Sequence, residues 1–253
     1  MTGSTGPRPD RYDSIGRSYR QTRREDPRLT ARIHAALGSE RTVVNVGAGT
    51  GSYEPPAPYV IAVEPSAVMI AQRPGGSAPV IQAVAEALPL RARSVGAAMA
   101  LWTIHHWTNP GQGIAELRRI ASRVVIVTPS VLLNQLWLTS DYFPAMARAR
   151  RPEIQPGEIA RALGGIVSIQ SFPIPRDCLD GFAEAYWARP EAYLDPVIRA
   201  GMSGFTLLTA AETEPGLRRL ATDLESGTWD ARYGHLRSLT QLDCGHRLII
   251  AEP

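Results

Sequence analysis

Short apolar runs alternate with helical patterns along the first half of the chain. The apolar runs predict buried strands at 42–47, 58–64, 80–84, 94–104 and 123–129. Helices are predicted before and between them at 28–37, 66–73 and 111–122. Apolar strands separated by helices are typical of a mostly parallel sheet that is covered on both faces. We therefore expect an α/β fold with a doubly wound sheet.

The regular alternation ends near residue 130. The elements predicted beyond it are helices at about 131–138 and at 157–163, a strand at 166–172, and a last strand within 242–252. Residues 176–236 are rich in Trp, Tyr, Pro and Arg, with helical patterns at 180–188, 195–201 and 215–225. This stretch is expected to be a helical insertion before the last strand of the core.

A glycine-rich segment follows the first predicted strand. Residues 43–51 read VVNVGAGTG, and Glu64 ends the second predicted strand thirteen residues beyond Gly51. Glycine lets the backbone turn tightly and approach a ligand, and a carboxylate after the next strand can accept hydrogen bonds from both ribose hydroxyls. The pair predicts a nucleotide-sized ligand. Ser52 stands where the dinucleotide fingerprint requires its third glycine, which disfavours an NAD enzyme.

This segment resembles the first motif, VLDVGCGTG, of the class I S-adenosylmethionine-dependent methyltransferases, in their small-molecule, methyltransferase type 11-like group. The resemblance extends over about residues 11–130. It implies S-adenosylmethionine as the cofactor, with its methionyl part held by Gly47, Ala48, Gly49 and Gly51, its ribose by Glu64, and its adenine bordered by Pro65.

The chain departs from the family pattern at two acidic positions. Asn45 stands where the first motif has Asp, and it can hydrogen-bond only through its amide. Val84 stands where a signature resembling GDAEALPF has the acid that contacts adenine. Adenine recognition is therefore expected from the backbone near Ala85 and Glu86 or from looser packing, with a surface carboxylate as the alternative for Glu86.

The N-terminal arm looks like the family's YDxxAxxYxxxR segment, which folds over the cofactor. Tyr19 and Arg23 are the implied cofactor contacts, and an ordinary amphipathic arm is the alternative. The expected organisation is an arm over the cofactor at 1–27, a cofactor-binding α/β core at 28–175 and 237–253, and an acceptor-side helical cap at 176–236.

The end of the fourth predicted strand reads LWTIHHW and is similar to the family's LHHW-type segment. The resemblance implies that Leu101, Trp102 and Thr103 pass along the cofactor, while His105 and His106 face the crevice or cap the next helix. Methyl transfer from a sulfonium is an in-line displacement that alignment can accelerate, so a base is optional. For a hydroxyl acceptor one histidine can remove the proton, with His105 slightly preferred; the alternative for each is a structural hydrogen bond.

The acceptor pocket is expected from the arm, residues 131–156 and the insertion. The aromatic residues there are Trp137, Tyr142, Phe143, Phe182, Tyr186, Trp187 and Tyr193. Such a surface suits an apolar, planar acceptor, although aromatic residues at helical spacing also form ordinary core. Arg189 and Arg199 can bind an acidic group of the substrate or lie on the surface.

Composition narrows the class of acceptor. All 27 basic residues are Arg, the net charge is +3, and no element concentrates the arginines, which disfavours nucleic acid. No apolar run reaches the roughly 20 residues of a membrane span and no secretory signal is recognised, so a cytoplasmic enzyme is expected. The two cysteines have no metal-ligand spacing, so no metal is expected.

The expected function is S-adenosylmethionine-dependent methyl transfer to a small molecule. The end of the fourth strand lacks the Asn/Asp-Pro-Pro-aromatic run by which the methyltransferases of nucleic-acid amines resemble one another, which disfavours that class. Neither cysteine follows a proline, which disfavours the cytosine-C5 methyltransferases, whose nucleophile is the cysteine of a Pro-Cys pair. The use of Arg and never Lys is interpreted as a codon bias of the genome. By association with that bias, and with the helical cap, the acceptor is expected to be a secondary metabolite. A monomer or homodimer is expected, and the alternative function is a catalytically degenerate cofactor-binding or regulatory member of the same fold.

Overall fold

The computed structural model describes residues 23–56, 59–149 and 154–252. Its strands are β1 (Thr42–Val46), β2 (Tyr59–Val63), β3 (Val80–Ile81), β4 (Val95–Leu101), β5 (Ala121–Pro129), β6 (Val167–Ser171), β7 (Ile174–Pro175), β8 (Gln241–Leu242) and β9 (His246–Ala251). Its α-helices are α1 (Pro27–Leu37), α2 (Ala67–Ala71), α3 (Pro110–Ile120), α4 (Pro144–Ala149), α5 (Pro156–Leu163), α6 (Pro196–Ala200), α7 (Ala210–Glu225) and α8 (Thr228–Tyr233).

Seven of these strands form one sheet in the order β3-β2-β1-β4-β5-β9-β6. The strands β1 to β5 pair in parallel, and β9 pairs antiparallel with both β5 and β6. The strand order reverses between β1 and β4. This arrangement confirms the predicted doubly wound, mostly parallel sheet, in which ligands bind at the carboxyl ends of the strands beside the reversal.

The antiparallel strand β9 adds a residue to that edge. Its first residue, His246, pairs with Pro129, the last residue of β5. The edge where β1, β2 and β4 end is therefore also the edge where β9 begins. His246 lies there although it is close to the end of the sequence.

Helix α3 is placed by a cap directly after the end of β4. The Asn109 side chain accepts a hydrogen bond from the Gln112 N–H, and Pro110 occupies the first turn. A 3-10 turn, Ile104–His106, lies within the segment 102–109 that connects strand and helix. The two histidines of this turn are thus held between two fixed elements.

Two apolar layers cover the sheet. Helices α3 and α5 cover one face, where the buried cluster includes Ile114 and Ile159. Helix α1 and the insertion 176–236 share one buried cluster on the opposite face, which includes Ile33 and Trp187. The insertion therefore packs on the α1 side of the sheet.

Two predicted helices are wrong in type. The segment 131–138 forms a 3-10 turn, Val131–Gln135, and the chain then continues into a π-helix, Leu138–Tyr142. The segment 180–188 contains only the 3-10 turn Ala183–Tyr186. A tertiary contact joins these two segments, because the buried Trp137 indole donates to the Trp187 carbonyl at 2.9 Å. Packing between distant segments has overridden local helical periodicity.

Other predicted elements differ in extent. Helix α7 begins at Ala210 instead of 215, because Thr209 and Glu212 form a capping box and Pro215 is accommodated inside the helix. Strand β3 ends at Ile81 instead of 84, since this edge strand pairs only with β2. Two six-residue helices, α4 and α8, and the small β7–β8 sheet were not predicted.

Candidate cofactor and acceptor site

The turn after β1 requires glycine. The glycines of the motif have positive φ angles, which are 71° at Gly47, 53° at Gly49 and 97° at Gly51. A Cβ on Gly47 would lie 2.0 Å from Oγ1 of Thr103, so the loop after β4 packs directly on this turn. The N–H groups of Gly47 and Ala48 donate to the Val63 carbonyl at 2.8 and 3.1 Å, which ties the turn to β2. The turn is a glycine-rich cradle, with glycine at three of its five positions, of the kind that a nucleotide cofactor needs.

Glu64 connects this cradle to helix α2. Its side chain is 5% exposed; one carboxylate oxygen accepts the Gly49 N–H at 2.7 Å and the other accepts the Ser66 N–H at 2.9 Å. A carboxylate oxygen can accept more than one hydrogen bond. Glu64 therefore holds the glycine turn, and the contact of its carboxylate with the ribose stays a prediction.

The residues near the predicted adenine side differ in how deeply they are buried. Pro65 is half-buried, Ala85 is buried and Val84 is 47% exposed. The Glu86 carboxylate accepts the N–H of Asn109, the cap residue of α3, at 3.0 Å. Glu86 thus fastens the loop after β3 to the start of α3, which is a structural role alongside the predicted cofactor contact.

Trp102 occupies the centre of an aromatic cluster at the end of β4. Its φ angle is 51°, a strained value for a bulky residue. Its ring centroid lies 5.5 Å from that of Tyr53, 5.7 Å from Phe182, 6.0 Å from Phe172 and 6.1 Å from His246. Trp102 and these four residues form the Trp102 cluster. The cluster joins the carboxyl edge of the sheet to the insertion.

The histidines predicted to act as base lie next to this cluster in sequence. His105 and His106 are half-buried in the 3-10 turn, and their ring centroids are 3.9 Å apart. Leu101, the last residue of β4, is half-buried, and Thr103 is buried against the glycine turn. The structure therefore brings the segment 101–106 to the same edge as the glycine turn.

The described part of the N-terminal arm bonds to the insertion. Tyr19 lies outside the described residues, whereas Arg23 forms a two-pronged ion pair with Asp180 and lies over the Phe182 ring. The Tyr53 hydroxyl donates to the same Asp180 carboxylate at 2.7 Å. Burial and the negative charge of Asp180 raise the pKa of Tyr53, so its phenol stays protonated and acts as a donor. Arg23 thus closes the edge of the Trp102 cluster in this structure.

Most of the aromatic residues expected to line the acceptor pocket pack as core instead. Six of the seven are buried, with only Tyr186 half-exposed. Trp137, for example, makes edge contacts with Tyr142 and Tyr193. Phe182 is the member of the set that joins the Trp102 cluster. The prediction that these side chains line the acceptor pocket is therefore wrong for Trp137, Tyr142 and Tyr193, because their buried rings pack together around Trp137.

Arg189 and Arg199 stabilise the insertion itself. Arg189 donates to the carbonyls of Cys178 and Ala185, both at 2.9 Å, and Arg199 donates to the Tyr193 carbonyl at 2.5 Å. Burial raises the pKa of the Cys178 thiol to about 12, which makes it a poor nucleophile. Among the described residues, no group of His, Cys, Asp and Glu could hold a metal ion, and no helix is long and apolar enough to cross a membrane.

Sequence reasoning missed His246 and Glu184. His246 is 2% exposed, its Nδ1 accepts the Trp102 indole N–H at 3.2 Å, and its Nε2 lies 3.6 Å from a Glu184 carboxylate oxygen. No motif marks either residue. The available signal was topological, because the first residue of an antiparallel last strand must lie at the carboxyl edge of its parallel neighbours.

Comparison with known proteins agrees with this geometry. The family model of the methyltransferase domain matches residues 44–124. A solved structure from Anabaena variabilis, described as a candidate methyltransferase from an antibiotic biosynthesis pathway, is 33% identical with a TM-score of 0.85, and the match covers 92% of this chain and 100% of that one. No match was found among the curated proteins.

More distant structures share the fold alone. The YcgJ protein of Bacillus subtilis is 16% identical, with a TM-score of 0.54 and coverage of 89% of this chain and 97% of its own. The 4+2 cyclase SpnF is also 16% identical, with a TM-score of 0.53 and coverage of 96% and 94%.

The match to the Anabaena protein extends over nearly the whole chain and agrees with the order of the strands in the sheet. The family model and this match identify S-adenosylmethionine as the cofactor. The chain belongs to the class I S-adenosylmethionine-dependent methyltransferases.

Proposed function

We propose that this chain transfers a methyl group from S-adenosylmethionine to a small-molecule acceptor bound beside Trp102. The Trp102 cluster carries the proposal, because its partly exposed member, Trp102, lies at the carboxyl edge of the sheet beside the glycine turn and packs against the buried rings of Tyr53 and Phe182. Aromatic walls with few polar groups suit an apolar or planar ligand. The similarity to a protein described with an antibiotic biosynthesis pathway supports a secondary metabolite as acceptor.

The proposed site assigns a different part of the cofactor to each of five groups of residues. The cofactor supplies an electrophilic methyl group when bound. Gly47, Ala48, Gly49 and Gly51 hold its methionyl part, Glu64 its ribose, and Pro65, Ala85 and Glu86 the adenine side. Leu101, Trp102 and Thr103 pass along it, and Tyr19 and Arg23 cover it. Alignment of acceptor and methyl group supplies most of the rate, since well-oriented reactions reach effective molarities of roughly 10⁵–10⁸ M.

The segment 176–236 is proposed as the cap over the acceptor. Phe182 from this segment reaches the Trp102 ring, and Asp180 bonds to Tyr53 of the core and to Arg23 of the arm. An acceptor beside Trp102 would thus be enclosed by arm, core and cap together. A metabolite is proposed in preference to nucleic acid or membrane lipid, acted on in the cytoplasm by a monomer or homodimer.

A base role for His105 or His106 completes the proposal for hydroxyl acceptors. Both follow β4 at the ligand edge, and proton removal by a positioned side chain contributes typically about 10²–10⁴-fold. In His105→Ala and His106→Ala, one variant should lose roughly 100-fold in turnover at neutral pH and recover part of it as pH rises and the acceptor ionises unaided. Equal small losses at every pH would leave alignment as the whole mechanism.

A panel of phenolic and other planar metabolites tests the function itself. Each is incubated with the enzyme and S-adenosylmethionine, and release of the demethylated cofactor is measured. Turnover that depends on one class of acceptor supports the proposal. Tight cofactor binding without turnover on any of them would favour the alternative, a catalytically degenerate cofactor-binding or regulatory member of the same fold.

A further inference from the structure

A buried ion pair lies directly behind the glycine turn. Arg73, which follows helix α2, donates from one guanidinium nitrogen to both carboxylate oxygens of Glu54, at 2.8 and 2.9 Å. The two side chains are 5% and 12% exposed. Removing two charges from water costs free energy, so a pair this deeply buried needs further hydrogen bonds from its surroundings as well as its own attraction.

The same guanidinium touches the glycine turn at two points. Its second terminal nitrogen donates to the Gly49 carbonyl at 3.4 Å and would lie 3.1 Å from a Cβ on Gly51. Since the Gly49 N–H is bonded to Glu64, both backbone polar groups of Gly49 are engaged by side chains of opposite charge. Arg73 also donates to the Ala78 carbonyl at 3.2 Å, which joins the turn to the segment leading into β3.

Asn45 completes the arrangement from β1. Its side chain is 2% exposed, and its amide nitrogen donates to a Glu54 oxygen at 3.3 Å. The Asn45 amide therefore acts as a donor to the Glu54 carboxylate. An Asp at position 45 would place a second negative charge against Glu54, with only Arg73 to neutralise both.

We propose that Arg73, Glu54 and Asn45 form a clamp that sets the conformation of the glycine turn from behind, which makes Arg73 and Glu54 positioning residues for S-adenosylmethionine. The clamp explains why Asn replaces the Asp of the motif that this segment resembles, because here the Glu54 carboxylate already balances the charge of Arg73 and accepts the Asn45 amide. The inference concerns the cofactor side and holds whichever acceptor is methylated.

Charge exchange within the clamp tests the proposal. Calorimetric titration with S-adenosylmethionine and with its demethylated product compares wild type, Asn45→Asp, Glu54→Gln and the double variant. Each single change should raise Kd about 10-fold or more, since each leaves one charge of the clamp uncompensated. The double variant restores one acid and one amide to the pair, so its Kd should lie below that of Asn45→Asp alone.

Glu252→Gln is the matched control for Glu54→Gln. Glu252 also pairs with an arginine, Arg123, at 2.5 Å, but it follows the far end of β9, at the opposite edge of the sheet. The Kd of Glu252→Gln for S-adenosylmethionine should equal that of wild type. A folded Asn45→Asp with wild-type Kd would overturn the clamp, as would a double variant whose losses simply multiply.

A conservative variant covers the case in which the charge variants do not fold. Arg73→Lys keeps the positive charge but has a single terminal nitrogen, so it lacks the planar fork with which Arg73 bonds Glu54 and Gly49 through two different nitrogens. Hydrogen exchange at the Gly49 amide should then accelerate, without ligand, relative to the amides of the central strand β5. Unchanged exchange at Gly49 together with unchanged Kd would show that Arg73 does not hold the turn.

Discussion

The indole N–H of Trp102 donates to Nδ1 of His246 across 3.2 Å, although the two residues are 144 positions apart in sequence. An indole nitrogen can only donate, so Nδ1 is the acceptor and the neutral imidazole carries its proton on Nε2. That proton faces Glu184, whose oxygen is 3.6 Å away. The end of β4 and the start of β9 are thereby locked together at the edge where the acceptor is proposed to bind.

A double-mutant cycle measures this lock. His246→Leu leaves the Trp102 indole without its acceptor and should lower the free energy of unfolding by about 1–3 kcal/mol. In a Trp102→Phe background the same substitution should cost about 1 kcal/mol less, because the donor is already absent. Denaturant unfolding of the four proteins gives the coupling. Strictly additive losses would mean that the hydrogen bond contributes nothing to stability.

Gly47→Ala should abolish cofactor binding. The new Cβ would lie 2.0 Å from Thr103 Oγ1 at a positive φ angle, so either the turn or the loop after β4 must move. Gly76→Ala is the matched control, since Gly76 also has a positive φ, 85°, but no atom within 4 Å of the added Cβ. Calorimetric titration should find normal affinity in the control. Retained affinity in Gly47→Ala would contradict the cradle.

Glu64→Ala should weaken cofactor binding by about 10- to 100-fold, because hydrogen bonds to a charged group are worth roughly 1.5–3 kcal/mol. The variant also loses the bond to the Gly49 N–H, so the turn itself is less ordered. Titration of the purified variant gives the loss directly. A Kd within twofold of wild type would remove Glu64 from the site.

Asp26 should contribute stability that disappears in acid. Burial alone would raise its pKa, but hydrogen bonds from the Arg28 side chain and from the N–H groups of Leu179 and Arg28 outweigh burial and lower the pKa to about 2. The contribution is therefore complete above the ordinary value near 3.8 and is lost as pH falls toward 2.

Asp26→Asn keeps an acceptor for the cap of α1 but cannot titrate. The difference in unfolding free energy between wild type and this variant should shrink by about 2 kcal/mol between pH 5 and pH 2. Urea unfolding at several pH values measures it. A difference that is constant with pH would show that the carboxylate is not selectively stabilised in the folded protein.

Local signals in the sequence were sufficient for the cofactor half of the molecule. The run from Val43 to Gly51 with Glu64 after the next strand is a contiguous pattern, and its residues meet because parallel neighbours end at one edge. The sheet class followed from the same alternation of strands and helices.

The acceptor half depends on contacts that no local pattern encodes. Tyr53, Asp180 and His246 come from three distant segments. The bonds from Tyr53 to Asp180 and from Trp102 to His246 form only once the sheet order and the path of the insertion are fixed. The aromatic residues of the insertion gave no sign of which would pack on one another and which would reach Trp102. The matching of Asn45 to Glu54 was hidden likewise, since it requires the turn to fold back on β1.

A crystal structure of the enzyme with the demethylated cofactor tests the proposed cofactor site. The methionyl part should lie over the turn Gly47 to Gly51, and both ribose hydroxyls should lie within hydrogen-bonding distance of the Glu64 carboxylate. A ligand bound elsewhere, or a ribose that faces away from Glu64, would contradict it.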